Sequence, residues 1–150
     1  MKKVEKTALI LLVGPDIRLL EATLLHYLGL GLRRILLSVH VYEKKAEQNL
    51  SKIRSIAERY HAEVADIHTA RGIESAKRYK RLIQSSCAQE DWIVYAHMDE
   101  FIQFPAPVTD NIEFCEAEKF DYIQGFFLDR MGQKEISRRY QNSQFGINSL

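Results

Sequence analysis

Short aliphatic runs alternate with stretches of helical periodicity along most of the chain. The run Thr7–Val13 is almost continuously aliphatic, which suits a strand buried on both faces. Ile35–Val41, Ala62–Ile67 and Trp92–Ala96 are further strand candidates. In the intervals, apolar residues recur three and four positions apart, which predicts helices. Strands and helices that alternate at these lengths predict an α/β sandwich with a mostly parallel central sheet.

Four helices are predicted, three between the strands and one after them. The first follows the break at Gly14-Pro15-Asp16, with Asp16 as its N-cap and Gly29 as its stop. The fourth begins at a capping box formed by Asp110 and Glu113. The helical stretches are Ile17 to Leu28, Ala46 to Tyr60, about Glu74 to Cys87, and a short helix ending near Lys119.

The length and patterning favour a single domain, because neither an internal repeat nor a linker is visible. Tyr122–Leu128 is predicted to form a further strand. The tail from Ile136 to Leu150 is polar and has no clear closing element. We therefore expect the fold to be unfinished at this end, and we expect the open sheet edge to favour a homo-oligomer.

Composition allows one hydrophobic core and gives no strong electrostatic field. The hydrophobic share is 46%, and 21 basic against 20 acidic residues leave a formal net charge of +1. A chain this close to neutral does not bind nucleic acid or an anionic membrane by charge alone. An anionic ligand must therefore be bound by a local site.

Neither a disulfide nor a membrane span is expected. Cys87 and Cys115 lie in predicted helices, without a neighbouring cysteine, and are interpreted as buried, reduced thiols. The apolar run Ala8–Val13 is too short to cross a bilayer, and the Lys2-Lys3 start lacks the cleavage site of a signal peptide. These features predict a cytoplasmic protein with no transmembrane segment.

The strongest chemical pattern is a buried strand that ends in polar residues. Trp92–Ala96 is followed directly by His97, Met98, Asp99 and Glu100. If the strand continues, His97 and Asp99 point the same way and can share one divalent cation with a diphosphate. Because ligands of open α/β sheets bind outside the carboxyl ends of the strands, we expect Trp92–Ala96 to be central and buried, with the Gly14–Asp16 loop on the same side.

Each candidate residue also has a simpler structural interpretation. Asp99 and Glu100 could be a solvated pair after a strand, and a strand histidine such as His97 is more often hydrogen bonded than metal bound. His40 and His68 are located at predicted strand ends but show no ligand spacing. The basic cluster around the third helix is typical of a solvated face, with Arg71 as the exception because it lies in a strand-end loop.

One family resembles this chain in its motifs. The segment "DWIVYAHMDEFIQFP" is similar to the Asp-x-Asp region of GT-A glycosyltransferases, in the family-2-like group that reads "DW", a hydrophobic strand and "D-x-DEF". The opening strand from Thr7 followed by "LLEATLLHYLGLGLRRILLSVHV" is similar to its first strand, helix and second strand, and "FDYIQGFFLDRMG" is similar to its later "DR" segment. Together these segments extend the resemblance from Thr7 to Gly132.

The resemblance implies a GT-A fold of the nucleotide-diphospho-sugar transferase type, and transfer of the sugar to an acceptor hydroxyl. It implies a divalent metal, most naturally manganese, on Asp99 and on His97, which stands where the family has its first Asp; Glu100 is expected beside the metal ligands. Asp129 is the candidate catalytic base, with a local ion pair or turn carboxylate, and a base supplied by the missing acceptor part, as the alternatives. The candidate donor-binding residues are Gly14, Asp16, His40, Arg71, Lys77 and Met98.

The departures from the family define the alternatives. His97 in place of an acidic residue removes a negative charge from the metal site, and Ser38–Tyr42 replaces the acidic turn that often follows the second strand. The usual domain continues well past the "DR" segment, so the resemblance implies that the acceptor part is missing. The rival hypothesis is a non-catalytic binding or assembly module of the same fold. A third class, dinucleotide or triphosphate enzymes, lacks its glycine-rich loops here.

Overall fold

The computed structural model describes residues 7–41, 46–69, 73–89 and 91–125. Strands and helices alternate throughout these ranges, as the hydrophobic pattern predicts. Most element bounds lie within one or two residues of those expected from the sequence. The elements are β1 (Thr7–Val13), α1 (Leu20–Gly29), β2 (Arg34–His40), α2 (Ala46–Arg59), β3 (Glu63–His68), α3 (Ile73–Ser86), β4 (Trp92–His97) and α4 (Val108–Glu118).

The four strands form one parallel sheet in the order β3-β2-β1-β4. β1 pairs with β2 on one side and with β4 on the other, and all seven of its residues are buried. This confirms both the α/β class and the expectation that Thr7–Val13 is buried on its two faces. A β-bulge between Leu37 and Ser38 interrupts the pairing of β2 with β3.

Alternate side chains of β1 enter two separate hydrophobic clusters. Leu9, Leu11 and Val13 belong to a larger cluster that includes residues of α1, α2 and α4. Ile10 and Leu12 belong to a smaller cluster covered by α3. The sheet therefore has helices on both faces, which explains why its central strand tolerates no polar residue after Thr7.

β4 is neither central nor fully buried within the described part of the chain, which corrects the sequence-based expectation. It forms one edge of the four-stranded sheet, and Tyr95 is 44% exposed. The further strand predicted at Tyr122–Leu128 is not seen over Tyr122–Gly125, and 126–128 lie outside the described residues. Within the described residues, β4 has a paired neighbour on one side only.

Two predicted helix starts are also wrong. α1 begins at Leu20, with Leu19 rather than Asp16 in the N-cap position, because the Asp16 carboxylate accepts hydrogen bonds from Arg18 instead. α4 begins at Val108 after Pro107, so Asp110 already lies in its first turn, and the cap position has no side-chain hydrogen bond. At α1 the Arg18 side chain therefore occupies the expected cap, whereas α4 begins two residues before Asp110.

The end of α4 near Lys119 is confirmed. Lys119 adopts a left-handed conformation, with φ of 60°, and the Phe120 N–H donates to the Cys115 carbonyl at 2.8 Å.

Cys115 is buried and Cys87 is half-buried just after α3, and both are free thiols. Among the described helices, none is long and apolar enough to cross a membrane.

Gly29 and Gly31 offer a paired test of how α1 ends. A Cβ at either position meets no atom within 4 Å, but Gly31 has φ of +90° whereas Gly29 is helical. Gly29→Ala should raise the free energy of unfolding by about 0.5–1 kcal/mol, and Gly31→Ala should lower it by about 1–2 kcal/mol. Urea unfolding measures both changes; equal effects of the two substitutions would contradict this description of the turn.

Candidate functional site

The carboxyl ends of β1 and β4 lie side by side. Leu12 pairs with His97, and the Met98 N–H donates to the Leu12 carbonyl at 3.0 Å. Gly14 follows Leu12 by two residues, as Asp99 follows His97, so both reach the same edge of the sheet. This confirms that the Gly14 loop and the His97–Asp99 segment share one side, as the sequence predicts.

This edge is where the order of the strands reverses. From β1 the chain moves through α1 and α2 to β2 and β3, and then α3 returns it across the opposite face to β4 on the other side of β1. In open α/β sheets such a reversal opens a crevice at the carboxyl ends of the two strands, where ligands bind. The Gly14 loop and Asp99 lie at this position.

The strand ends at His97, so the expectation that His97 and Asp99 share a strand face is wrong. The Glu100 N–H donates to the His97 carbonyl at 3.0 Å, which closes a turn with Met98 and Asp99 at its centre. The Glu100 carboxylate in turn accepts the His97 N–H at 2.8 Å. Glu100 therefore lies beside the candidate ligands and stabilises the turn, and its role next to a metal stays a prediction.

Exposure divides the residues of this turn. His97 and Asp99 are exposed, whereas Met98 is 8% exposed and packs in the larger cluster. Both backbone groups of Met98 are also hydrogen bonded, to Leu12 and to Thr23. The Met98 side chain thus faces the core, and this geometry gives it no contact surface for a donor, contrary to the sequence-based expectation.

In the Gly14–Asp16 loop, Pro15 and Asp16 have polar partners, whereas Gly14 has open space beside it. The side chain of Asn49, from α2, donates to the Pro15 carbonyl at 3.1 Å. Hydrogen bonds from Arg18 hold the pKa of the exposed Asp16 carboxyl below its usual value, so Asp16 is already paired with a cation. At Gly14, by contrast, an added Cβ meets nothing within 4 Å and the backbone does not require glycine.

A row of rings lines the α3 face near the same edge. His40 stacks on His68 with ring centroids 5.4 Å apart, and Tyr79 of α3 contacts both His68 and Tyr95. Tyr95 lies 6.0 Å from His97, so the row crosses the sheet from β3 to β4. The sequence placed His40 and His68 at strand ends, but their stacking depends on the pairing of β2 with β3.

The neighbouring basic residues Lys77 and Arg78 of α3 have different partners. Lys77 is exposed and pairs with Glu74 at 2.6 Å, and its donor-binding role stays a prediction. Arg78 instead donates to Asp66 of β3 at 3.0 Å, and Ser38 of β2 lies 3.4 Å from the same carboxylate. The helical periodicity that places Tyr79 and Leu82 against the sheet was the available signal for Arg78.

Helix α1 contacts the candidate segment through three side chains. The Thr23 hydroxyl lies within hydrogen-bonding distance of the Met98 carbonyl, and Tyr27 donates to the Glu100 carbonyl at 2.8 Å. The His26 ring nitrogen lies 2.8 Å from the Ile102 carbonyl. Tyr27 is fully buried, and this burial raises its pKa to about 12.

Two candidate residues, Arg71 and Asp129, lie outside the described residues, and their roles stay predictions. The metal prediction can be compared with the geometry. Within residues 7–41, 46–69, 73–89 and 91–125 there is no group of three or more His, Cys, Asp or Glu able to hold a metal ion. A cation at this turn would have His97 and Asp99 as protein ligands, and its remaining ligands would be oxygens of a phosphate group and of water.

No known family model, no curated protein and no solved structure matches the chain. The functional proposal therefore depends on the geometry of this edge and on the resemblance of the motif.

The buried Tyr27 predicts a stability change at alkaline pH. Its pKa of about 12 in the fold exceeds the usual tyrosine value of about 10, so the folded state keeps a proton that the unfolded state loses. Its stabilising contribution is complete below about pH 10 and is lost as the pH rises towards 12; at most about 2–3 kcal/mol is involved.

Urea unfolding from about pH 9 to about pH 11.5 measures this effect. Tyr27→Phe should flatten the alkaline decline in unfolding free energy. Tyr60→Phe removes the same atom from the residue that follows α2 and should retain the decline. If the decline in Tyr27→Phe equals that of the wild type, the Tyr27 hydroxyl does not supply it.

Proposed function

We propose that this chain binds a nucleotide-diphospho-sugar in the crevice between the carboxyl ends of β1 and β4, and that it acts in transfer of the sugar to an acceptor hydroxyl. The proposal combines the position of the crevice with the "HMDEF" motif that lies in it. It corresponds to a GT-A-type glycosyltransferase domain.

The observation that carries the proposal is the pairing of Leu12 with His97 across the strand-order reversal. It brings an exposed carboxylate, Asp99, to the same edge of the sheet as Gly14, a glycine with open space beside it. A glycine that neither sterics nor backbone conformation requires leaves room for a ligand to approach the main chain. A diphosphate in this crevice would meet the Gly14 backbone on one side and the Asp99 turn on the other.

The proposal includes a divalent cation, because a carboxylate repels a diphosphate unless a cation lies between them. Asp99 and His97 are the residues that would hold it. Such an ion, when bound, would neutralise charge on the departing diphosphate. The protein holds the Asp99 turn in place through two hydrogen bonds. The Glu100 carboxylate accepts one from the His97 N–H, and the Glu100 carbonyl accepts the other from the Tyr27 hydroxyl.

Transfer also needs a group that accepts the proton of the acceptor hydroxyl, because a neutral hydroxyl is a weak nucleophile. Asp129 is proposed for this role on the motif alone. The rival function, a binding module without transfer, uses the same crevice and differs only in this step. Donor binding with no sugar transfer to any acceptor hydroxyl would favour that rival.

Gly14→Ala tests the crevice without disturbing the fold. The new Cβ has space in the protein alone, so the free energy of unfolding should stay the same or rise slightly. The same Cβ would occupy the approach of the diphosphate, and we expect affinity for the best-bound nucleoside diphosphate to fall about tenfold or more. Calorimetric titration with UDP, GDP and other nucleoside diphosphates, with and without manganese, measures it.

Gly29→Ala is the matched control, since Gly29 has the same open surroundings but lies at the end of α1, near the opposite edge of the sheet. It should leave affinity unchanged. Equal affinity in Gly14→Ala and the wild type would rule out close approach at Gly14, and no binding of any nucleotide by the wild type would reject the proposed function.

Substitutions that change the charge of the turn test whether a cation binds there. Asp99→Ala should abolish the manganese dependence of nucleotide binding, and His97→Asp should strengthen it by adding a negative charge at the same turn. A gain of about tenfold in the manganese affinity of His97→Asp is the expected scale. Equal manganese affinity in the wild type and both variants would show that the metal binds elsewhere or not at all.

A further inference from the structure

The segment that follows the candidate turn, Glu100–Phe104, is not part of the sheet. Glu100–Phe104 forms neither helix nor strand, yet Ile102 and Phe104 pack against the larger cluster. Backbone groups near a core need hydrogen-bond partners, because an unpaired buried carbonyl costs free energy. The partners of this segment come from one helix, α1.

The match between helix and segment is regular. Thr23 and Tyr27 are four residues apart on α1 and His26 is three from Thr23, so the three side chains lie on one face of the helix. Their partners are the carbonyls of Met98, which lies in the turn, and of Glu100 and Ile102, which follow it. One face of α1 therefore contacts the backbone on both sides of Asp99.

Asp99 lies between two of these anchored carbonyls. Its neighbours Met98 and Glu100 are held by Thr23 and Tyr27, both fully buried residues of α1. The anchors are therefore rigidly packed, while the Asp99 side chain between them is exposed. Phe101, which follows Glu100, adds a ring contact with His26 at a centroid distance of 5.3 Å.

We propose that Thr23, His26 and Tyr27 are positioning residues of the candidate site: they set the orientation of the Asp99 turn towards the ligand by holding the backbone on both sides of it. The inference depends on the proposed function, because the turn matters only if Asp99 meets a ligand. It assigns to α1 a role that the motif does not reveal, since the three residues lie more than seventy positions away in sequence.

Two paired substitutions test this role. Tyr27→Phe removes only the hydroxyl that holds Glu100, and Tyr60→Phe, at the residue that follows α2, is its control. Thr23→Val removes the hydroxyl at similar volume, whereas Thr23→Ser keeps it. Hydrogen–deuterium exchange without ligand reports whether the segment is held, and calorimetry with UDP or GDP, with and without manganese, reports whether holding it matters to the site.

We expect Tyr27→Phe and Thr23→Val to speed exchange of the amides from His97 to Phe104 and to weaken manganese-dependent nucleotide binding about tenfold. Tyr60→Phe and Thr23→Ser should do neither. Binding measured without manganese should change little in any variant. A role in stability alone would not produce this selective loss.

Three outcomes overturn the inference, and they are distinguishable. Unchanged exchange in Tyr27→Phe and Thr23→Val would show that α1 does not hold the segment. Faster exchange with unchanged nucleotide affinity would show that the contacts are structural only. A wild type that binds neither UDP nor GDP would reject the proposed function, and the positioning role would fall with it, whatever the exchange pattern.

Discussion

The pairing of β1 with β4 is the constraint on which the candidate site depends. β1 is buried on both faces and is hydrogen bonded to β2 on one side and to β4 on the other, so these contacts together fix its position in the sheet. A parallel partner must align its carboxyl end with that of β1, and a shift by one residue would move Ala96 out of the core. The register of Leu12 with His97 therefore fixes where the Asp99 turn emerges.

A second layer of contacts converts that register into a defined turn. The Glu100 carboxylate accepts the His97 N–H, and α1 holds the carbonyls of Met98, Glu100 and Ile102. These hydrogen bonds satisfy backbone groups that have no partner in the sheet beyond the end of β4. The exposed Asp99 side chain thus stands on a rigid base, which is the arrangement a binding site needs if it is to meet its ligand without reorganisation.

Much of the sheet could be predicted from the sequence, because a strand covered on both faces requires a continuous apolar run such as Thr7–Val13. The end of β4 could not be predicted, because apolar periodicity does not show that the Glu100 carboxylate accepts a hydrogen bond from the His97 N–H. Asp16 was expected to cap α1, but Arg18 competes for it two residues away. The stacking of His40 on His68 depends on strand pairing, which no local pattern encodes.

The central claim is that the ligand lies between the carboxyl ends of β1 and β4, and the most direct measurement is paramagnetic broadening of backbone amide signals by manganese in the presence of UDP or GDP. The account predicts that broadening is strongest at Gly14 and from His97 to Glu100. Amides at the amino ends of the strands, such as Thr7, Arg34 and Glu63, should remain sharp. Strong broadening at that opposite edge, or none near Asp99, would contradict the account.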